Sequence, residues 1–198
     1  KQYLLQLHNL KDQNIIKVIT GVRRCGKSTL LMMFANDIIK KGVDANQIQF
    51  YNFEDLDILS IGDIYQIHTH IKECLIDDKM NYIFLDEVQN IKEFQRLVDS
   101  LYIKPNVDVY ITGSNAYMLS GELATLLTGR YVEINILPLQ FSEYYHFTLS
   151  KSPNLSRNEI LANYIHFGGI PEYIKQLNNS EKQADLFAQS ILKTIVEK

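Results

Sequence analysis

The sequence predicts an α/β sandwich around a mostly parallel five-stranded sheet, and three observations predict it. Short β-branched or apolar runs recur along the chain, stretches with apolar residues at helical spacing separate them, and a glycine-bearing octet joins the first run to the first helical stretch. Ile15-Ile16-Lys17-Val18-Ile19-Thr20 reads as the first strand. After the octet, Leu30-Leu31-Met32-Met33-Phe34 continues into a helix that ends near Gly42. Gln47-Ile48-Gln49-Phe50-Tyr51-Asn52-Phe53 reads as the second strand, and Ile58, Ile61, Ile64, Ile67, Ile71 and Leu75 recur at the spacing of one helix face. Tyr82-Ile83-Phe84-Leu85 is a continuous apolar run, the pattern of a strand buried on both faces. Ile91, Phe94, Leu97, Val98 and Leu101 mark a further helix, and Val107-Asp108-Val109-Tyr110-Ile111 and Tyr131-Val132-Glu133-Ile134-Asn135-Ile136 complete the strands. No internal repeat or low-complexity segment interrupts this alternation.

The composition changes at Ser150-Lys151-Ser152-Pro153-Asn154, which reads as a linker. The expected organisation is therefore a core over residues 1–150 and a small helical subdomain over 151–198. In the second part Ser156-Arg157-Asn158-Glu159 and Ser180-Glu181-Lys182-Gln183 both fit a capping box. Gly168-Gly169 can stop the first of those helices, and Pro171 suits the first turn of the next.

The 198 residues are 46% hydrophobic with a formal net charge of −3, an ordinary globular composition. No stretch approaches the apolar length of a membrane span, and the N-terminus lacks a signal-peptide pattern, which leaves a cytoplasmic location as the default expectation. Cys25 and Cys74 form neither a disulfide framework nor a metal-binding spacing. With a pI near 6.0 and no Lys/Arg run, charge offers no support for a nucleic-acid partner.

The octet Gly21-Val22-Arg23-Arg24-Cys25-Gly26-Lys27-Ser28 fits the phosphate-binding pattern G-x-x-x-x-G-K-[ST] at every fixed position. By average composition, a chance match in a chain this long arises in about one case in a hundred. Here the strand, loop and helix also stand in the order that phosphate binding requires. Gly21 and Gly26 permit positive φ and a close backbone approach to a phosphate. Successive N–H groups of the loop, through Arg24 and Cys25, form an anion-binding concavity in front of the helix. The side chains of Arg23, Arg24 and Cys25 occupy free positions and are assigned no catalytic role. Lys27 reaches the β- and γ-phosphates, Ser28 is placed to ligate Mg²⁺, and Thr29 stands where it meets the α-phosphate.

Tyr82-Ile83-Phe84-Leu85-Asp86-Glu87 ends an apolar strand in adjacent carboxylates, at the edge where a parallel sheet delivers side chains to a ligand crevice. Asp86 would hold Mg²⁺ opposite Ser28, and Glu87 would orient or deprotonate the attacking water. The next strand ends in Thr112-Gly113-Ser114-Asn115, where Ser114 or Asn115 would position that water or sense the γ-phosphate. The alternative reading makes Ser114 only a cap of the following helix. Arg130, in Thr128-Gly129-Arg130, is placed either to stabilise transition-state charge on a neighbouring subunit's nucleotide or to form a surface salt bridge. His68-Thr69-His70 lacks a third metal ligand, and i and i+2 do not share a helix face. Asn52-Phe53-Glu54-Asp55 reads as a capped turn.

Taken with Leu137-Pro138-Leu139 and Gly129-Arg130-Tyr131, these segments resemble the AAA+ superfamily, and more narrowly a prokaryotic family of predicted AAA+ ATPases. The resemblance spans nearly the whole chain and implies a P-loop NTPase three-layer sandwich followed by a helical lid, with ATP and Mg²⁺ as ligands and a homo-oligomer as the working form. Gly168-Gly169-Ile170-Pro171-Glu172 is similar to that family's Gly-x-Pro lid motif, and no sensor-2 arginine is recognisable there. The family continues into a further C-terminal domain after a segment like 191–198, so the resemblance implies that this chain is a truncated piece. Four other readings stand beside ATP hydrolysis. A GTPase lacks its Asn-Lys-x-Asp motif here, and a small-molecule kinase is disfavoured by Glu87 beside Asp86. An ATP-binding switch or a DNA-associated ATPase stays open.

Overall fold

The computed structural model describes residues 2–113, 127 and 129–172. The chain divides into two compact units, Lys1–Gly21 with Lys27–Asn135, and Val22–Gly26 with Ile136–Lys198. The first unit holds α1 (Gln2–Leu10), β1 (Ile16–Gly21), α2 (Lys27–Lys40), β2 (Ile48–Asn52), α3 (Leu56–Leu59), α4 (Ile64–Glu73), β3 (Asn81–Asp86), α5 (Phe94–Tyr102), β4 (Val107–Thr112) and β5 (Tyr131–Ile136). The second holds α6 (Phe141–Lys151) and α7 (Arg157–Phe167). No helix among the described residues is long and apolar enough to cross a membrane.

The five strands lie in the order β2-β3-β4-β1-β5. The pairs β2–β3, β3–β4 and β4–β1 are parallel, and the Ile16 N–H donates to the Arg130 carbonyl where β5 joins β1. Every residue of β1, β3 and β4 is buried, because helices cover both faces of the sheet. The alternation of side chains assigns the two faces. Phe50, Phe84 and Tyr110 stand side by side in the register with Lys17, and Phe34 of α2 packs over that row. On the other face Ile83, Leu85, Val109 and Ile111 join Ile64, Ile67 and Ile71 of α4 and Leu97, Val98 and Leu101 of α5 in one apolar cluster. Helix, sheet and helix layers follow from this pattern, the expected three-layer sandwich.

The isoleucine row from Ile58 to Leu75 does not form one helix. It is split into α3 and α4 at Gly62, whose φ is +129°, and Asp63, whose side chain caps α4 through the N–H groups of Tyr65 and Gln66. The cap satisfies helix-start donors that a continuous helix would not expose, so local hydrogen bonding overrides the apolar periodicity. Two helices also lie where the sequence reading placed none, α1 and α6. The latter carries Ser150 and Lys151 in its last turn, residues that the linker reading had assigned to a connection. Tyr144 of α6 and Ile160 of α7 anchor the apolar cluster of the second unit, with the Tyr144 and Tyr164 rings 5.1 Å apart.

Ser156 and Glu159 form the expected capping box on α7, and Gly168 ends that helix at φ +71°. Gly169 has a steric reason to be glycine: a Cβ there would stand 2.1 Å from the Leu139 carbonyl oxygen. Its own carbonyl accepts from the Leu139 N–H at 2.7 Å, so the two backbones are in direct contact. Pro171 and Glu172 are helical, while Ser180–Gln183 and residues 191–198 lie outside the described residues.

A buried ion pair pins the N-terminal edge of the sheet. The Lys17 ammonium donates to Asp108 Oδ1 at 2.5 Å and to the Gln13 carbonyl at 2.7 Å. Asp108 Oδ2 also accepts from the Tyr110 hydroxyl and the Asp12 N–H, each at 2.9 Å. Burial pushes the Lys17 pKa down and the Asp108 pKa up, and each partner opposes the shift of the other. Replacing one member leaves the other charged and dry, which costs about 3–5 kcal/mol. Asp108→Ala should therefore lower unfolding stability by about that amount in urea titration. A loss below about 1 kcal/mol would show that the pair carries no such load.

Candidate active site

β1 ends at Gly21, and the backbone turns through positive φ at Gly21 (149°), Arg24 (67°) and Gly26 (106°) before α2 begins at Lys27. A Cβ on Gly26 would meet nothing within 4 Å, so the glycine is required by its φ and not by crowding. The first turn of α2 leaves N–H groups without intrahelical acceptors, and the helix dipole places partial positive charge there. Lys27 opens this turn and is only 4% exposed. Its ammonium approaches the Gly21 carbonyl at 3.4 Å and Glu87 Oε1 at 3.5 Å. Both contacts are longer than the 2.7–3.2 Å of an ordinary N–H···O bond, so a buried cation is held with its donors poorly used.

β3 delivers Asp86 to the same edge of the sheet, separated from β1 by β4. Asp86 is 1% exposed and accepts from the Thr112 hydroxyl at 2.5 Å, and the Ser28 side chain also acts on its carboxylate. Burial raises the Asp86 pKa; the bonds to Ser28 and Thr112 pull it back, Glu87 pushes it up, and Lys27 pulls it down. At Glu87 the chain enters the left-handed region, φ 55° and ψ 49°. The Glu87 N–H donates to the Thr112 hydroxyl oxygen, 2.9 Å away. The Glu87 carboxylate is bracketed by Lys27 on Oε1 and by Gln89 Nε2, which donates to Oε2 at 2.5 Å. Gln89 Oε1 is buried without a hydrogen-bond partner.

Lys27, Ser28, Asp86 and Glu87 therefore meet within the first unit, at the carboxyl ends of its strands. A hydroxyl beside a buried carboxylate suits a small hard divalent cation. An under-used buried ammonium at a helix N-terminus suits phosphate oxygens. The donor set fits Mg²⁺ and a polyphosphate together.

Thr29 is exposed in the first turn of α2, and Arg24 and Cys25 lie in the connecting loop. The Gly113 N–H donates to the Ile19 carbonyl at 3.4 Å, so β4 reaches the β1 edge up to that residue. Ser114 and Asn115 lie outside the described residues. Arg130 is not brought to the site of its own chain: its carbonyl accepts from Ile16 at the start of β1, the edge opposite Gly21. Its guanidinium pairs with Asp99 and lies 5.9 Å from the Tyr102 ring centroid. His68 and His70 diverge, the first to Ser100 at 3.0 Å and the second to the Tyr51 ring at 5.9 Å. Asn52 and Asp55 form the expected capped turn, accepting from Glu54 N–H and Asp57 N–H at 2.9 Å each.

Two polar residues of the cluster, Thr112 and Gln89, were assigned no role by the sequence reading. Thr112 becomes visible only through the strand register, in which Leu85 stands beside Ile111 and the following residues therefore face each other.

The model of the AAA domain family matches residues 13–145. An uncharacterised protein of Haemophilus influenzae is 39% identical over 175 residues, covering 88% of this chain and 44% of its own length. The chain spans less than half the length of the curated relatives it matches, 44%, 36% and 32% of them. Among solved structures, a Walker-type ATPase of Pyrococcus abyssi superposes with a TM-score of 0.62 at 16% identity, covering 100% of this chain and 73% of that one. DnaA of Aquifex aeolicus bound to AMPPCP superposes with a TM-score of 0.58 at 14% identity, covering 88% and 57%. At such identities the structural likeness speaks for the fold, which is that of P-loop ATPases. With the family model covering most of the sheet unit, the chain belongs to the AAA domain family, within the AAA+ P-loop ATPases.

Proposed function

We propose that this chain binds ATP with Mg²⁺ at the β1–α2 connection and hydrolyses it. The observation that carries the reading is the buried Lys27 ammonium, held among the described residues by long contacts and shared with a carboxylate at the end of β3. A phosphate oxygen is a better partner for that ammonium than either present one, because charge-assisted bonds at ordinary length are the strong ones. Ser28 and Asp86 would hold Mg²⁺, which supplies charge neutralisation on the phosphate oxygens. As Lys27 turns to the β- and γ-phosphates, Glu87 loses its cation and becomes available to a water. Glu87 accepts a proton as the water oxygen bonds to the γ-phosphorus, and the bond from that phosphorus to the bridging oxygen breaks with its electron pair leaving on ADP. Ser114 or Asn115 would contact the γ-phosphate or the water. The backbone N–H groups through Arg24 and Cys25, with Gly21, Gly26 and Thr29, would complete the phosphate cradle.

In this reading the helical unit is a lid that follows the core. The lid is proposed over residues 151–198, as composition draws it; the compact unit that contains it also takes in Ile136–Ser150 and Val22–Gly26. Arg130 would act on a neighbouring subunit's nucleotide in a homo-oligomer, since in its own chain it lies at the opposite strand edge. Arg130→Ala should leave single-turnover hydrolysis by an isolated subunit within about twofold and lower turnover of the assembled protein about 10³-fold or more. Sizing chromatography paired with phosphate release checks this, and loss of activity in a demonstrated monomer would place the arginine in cis.

The deciding measurement is ATP binding and turnover, with size determination, on the whole protein with and without DNA. Mg²⁺-dependent ADP formation supports the proposal, and absence of ATP binding overturns it. Binding and nucleotide-driven assembly without turnover would make the chain a switch, and DNA-stimulated turnover would make it a DNA-associated ATPase.

A further inference from the structure

We propose that Thr112 is the positioning residue of this site: its hydroxyl ties the carboxylate that would hold the cation to the backbone of the residue that would activate water. The inference rests on the hydrolytic reading above. Thr112 is the last residue of β4 and is fully buried. Its hydroxyl has one proton and spends it on Asp86 Oδ1 at 2.5 Å. A lone pair of the same oxygen receives the Glu87 N–H at 2.9 Å. One atom thus fixes the orientation of the Asp86 carboxylate and the direction of the Glu87 backbone.

The second of these constraints has a conformational consequence. Glu87 sits at φ 55°, where a residue with a Cβ is disfavoured by about 1–2 kcal/mol. The Thr112 acceptor fixes the peptide plane that enters Glu87, and the φ of 55° sets the direction in which the side chain leaves that plane. The left-handed turn is in turn what places the Glu87 carboxylate between Lys27 and Gln89. Without the hydroxyl that plane loses its anchor and can rotate, carrying the Glu87 carboxylate off Lys27, while Asp86 Oδ1 loses its Thr112 donor. A strand-end hydroxyl serving only to satisfy itself would need one partner; here both partners belong to the candidate chemistry.

Thr112→Val preserves the branched shape and deletes both hydrogen bonds, and Thr112→Ser keeps the hydroxyl and deletes the methyl. The valine variant should hydrolyse ATP about 10²-fold more slowly at saturation, the scale of a small misplacement of a catalytic group. At saturating Mg²⁺ its Kd for ATP should stay within about threefold of the parent, because Lys27 and the α2 N-terminus are untouched. The Mg²⁺ concentration for half-maximal binding of a fluorescent ATP analogue should rise several-fold, since Asp86 is no longer oriented. The serine variant should restore both quantities. Thermal melts establish that each variant is folded, and Thr112→Ala carries the same expectation should valine prevent folding. Parent-like turnover and Mg²⁺ dependence in the valine or alanine variant overturn the inference, as does a serine variant impaired as deeply as valine. A parent protein that binds ATP without turnover defeats the hydrolytic reading alone, and the Mg²⁺ titration then still decides the role of Thr112.

Discussion

Lys27→Ala should bind ATP at least 10²- to 10³-fold more weakly than the parent, while the nucleotide-free protein unfolds at nearly the same temperature. The two halves of that expectation have separate physical causes. Among the described residues the ammonium makes contacts of 3.4 and 3.5 Å, so removing it forfeits little that the fold depends on. Its Glu87 partner keeps the Gln89 bond and some solvent, being 16% exposed on its side chain. Toward a polyphosphate the same ammonium would form charge-assisted bonds worth about 1.5–3 kcal/mol each. Two such bonds convert to about 10²- to 10⁴-fold in Kd at 1.4 kcal/mol per tenfold. Calorimetric titration reads the affinity directly, and the nucleotide-induced rise in Tm should vanish with it. Parent-like affinity in a folded variant would remove Lys27 from the phosphate site.

Much of the sheet was legible because its strands are buried on both faces. Tyr82–Leu85 and Val107–Ile111 had nowhere to go but a sheet interior, and each observed strand extends the predicted one by a residue or two. The loop octet and the Asp86–Glu87 pair were legible for a different reason: backbone geometry and ligand chemistry restrict those positions to few residue types. What stayed hidden depended on partners distant in sequence or on local caps. α1 buries only Leu7, and α6 only Tyr144 and Thr148, so neither writes a strong apolar stripe. The break at Gly62–Asp63 lies inside an unbroken isoleucine period, and only the capping bonds of Asp63 reveal it. In the site, Lys27 and Glu87 were expected near one nucleotide, yet their direct contact was not foreseeable from either segment. The ion pair of Arg130 with Asp99 had been one of two readings, and it joins the start of β5 to α5 through the fold.

Glu87→Gln should keep ATP and stop consuming it. The substitution preserves shape, and the amide oxygen of the new side chain can still accept from Gln89, so the turn after β3 need not move. What it loses is the capacity to take a proton, and a positioned general base contributes about 10²- to 10⁴-fold. The same change also ends the competition for Lys27. In the parent the carboxylate stands 3.5 Å from the ammonium, and a phosphate must displace that attraction; against a neutral amide it need not. Affinity for ATP should therefore equal or exceed that of the parent while turnover falls by at least 10²-fold, a divergence that misfolding cannot produce because misfolding lowers both. Equilibrium binding beside phosphate release under single-turnover conditions separates the two quantities. A Glu87→Gln protein hydrolysing ATP at the parent rate would show that proton transfer does not pass through Glu87. A variant that lost affinity and turnover together would instead assign the carboxylate to holding the nucleotide, a role its pairing with Lys27 in the nucleotide-free chain argues against.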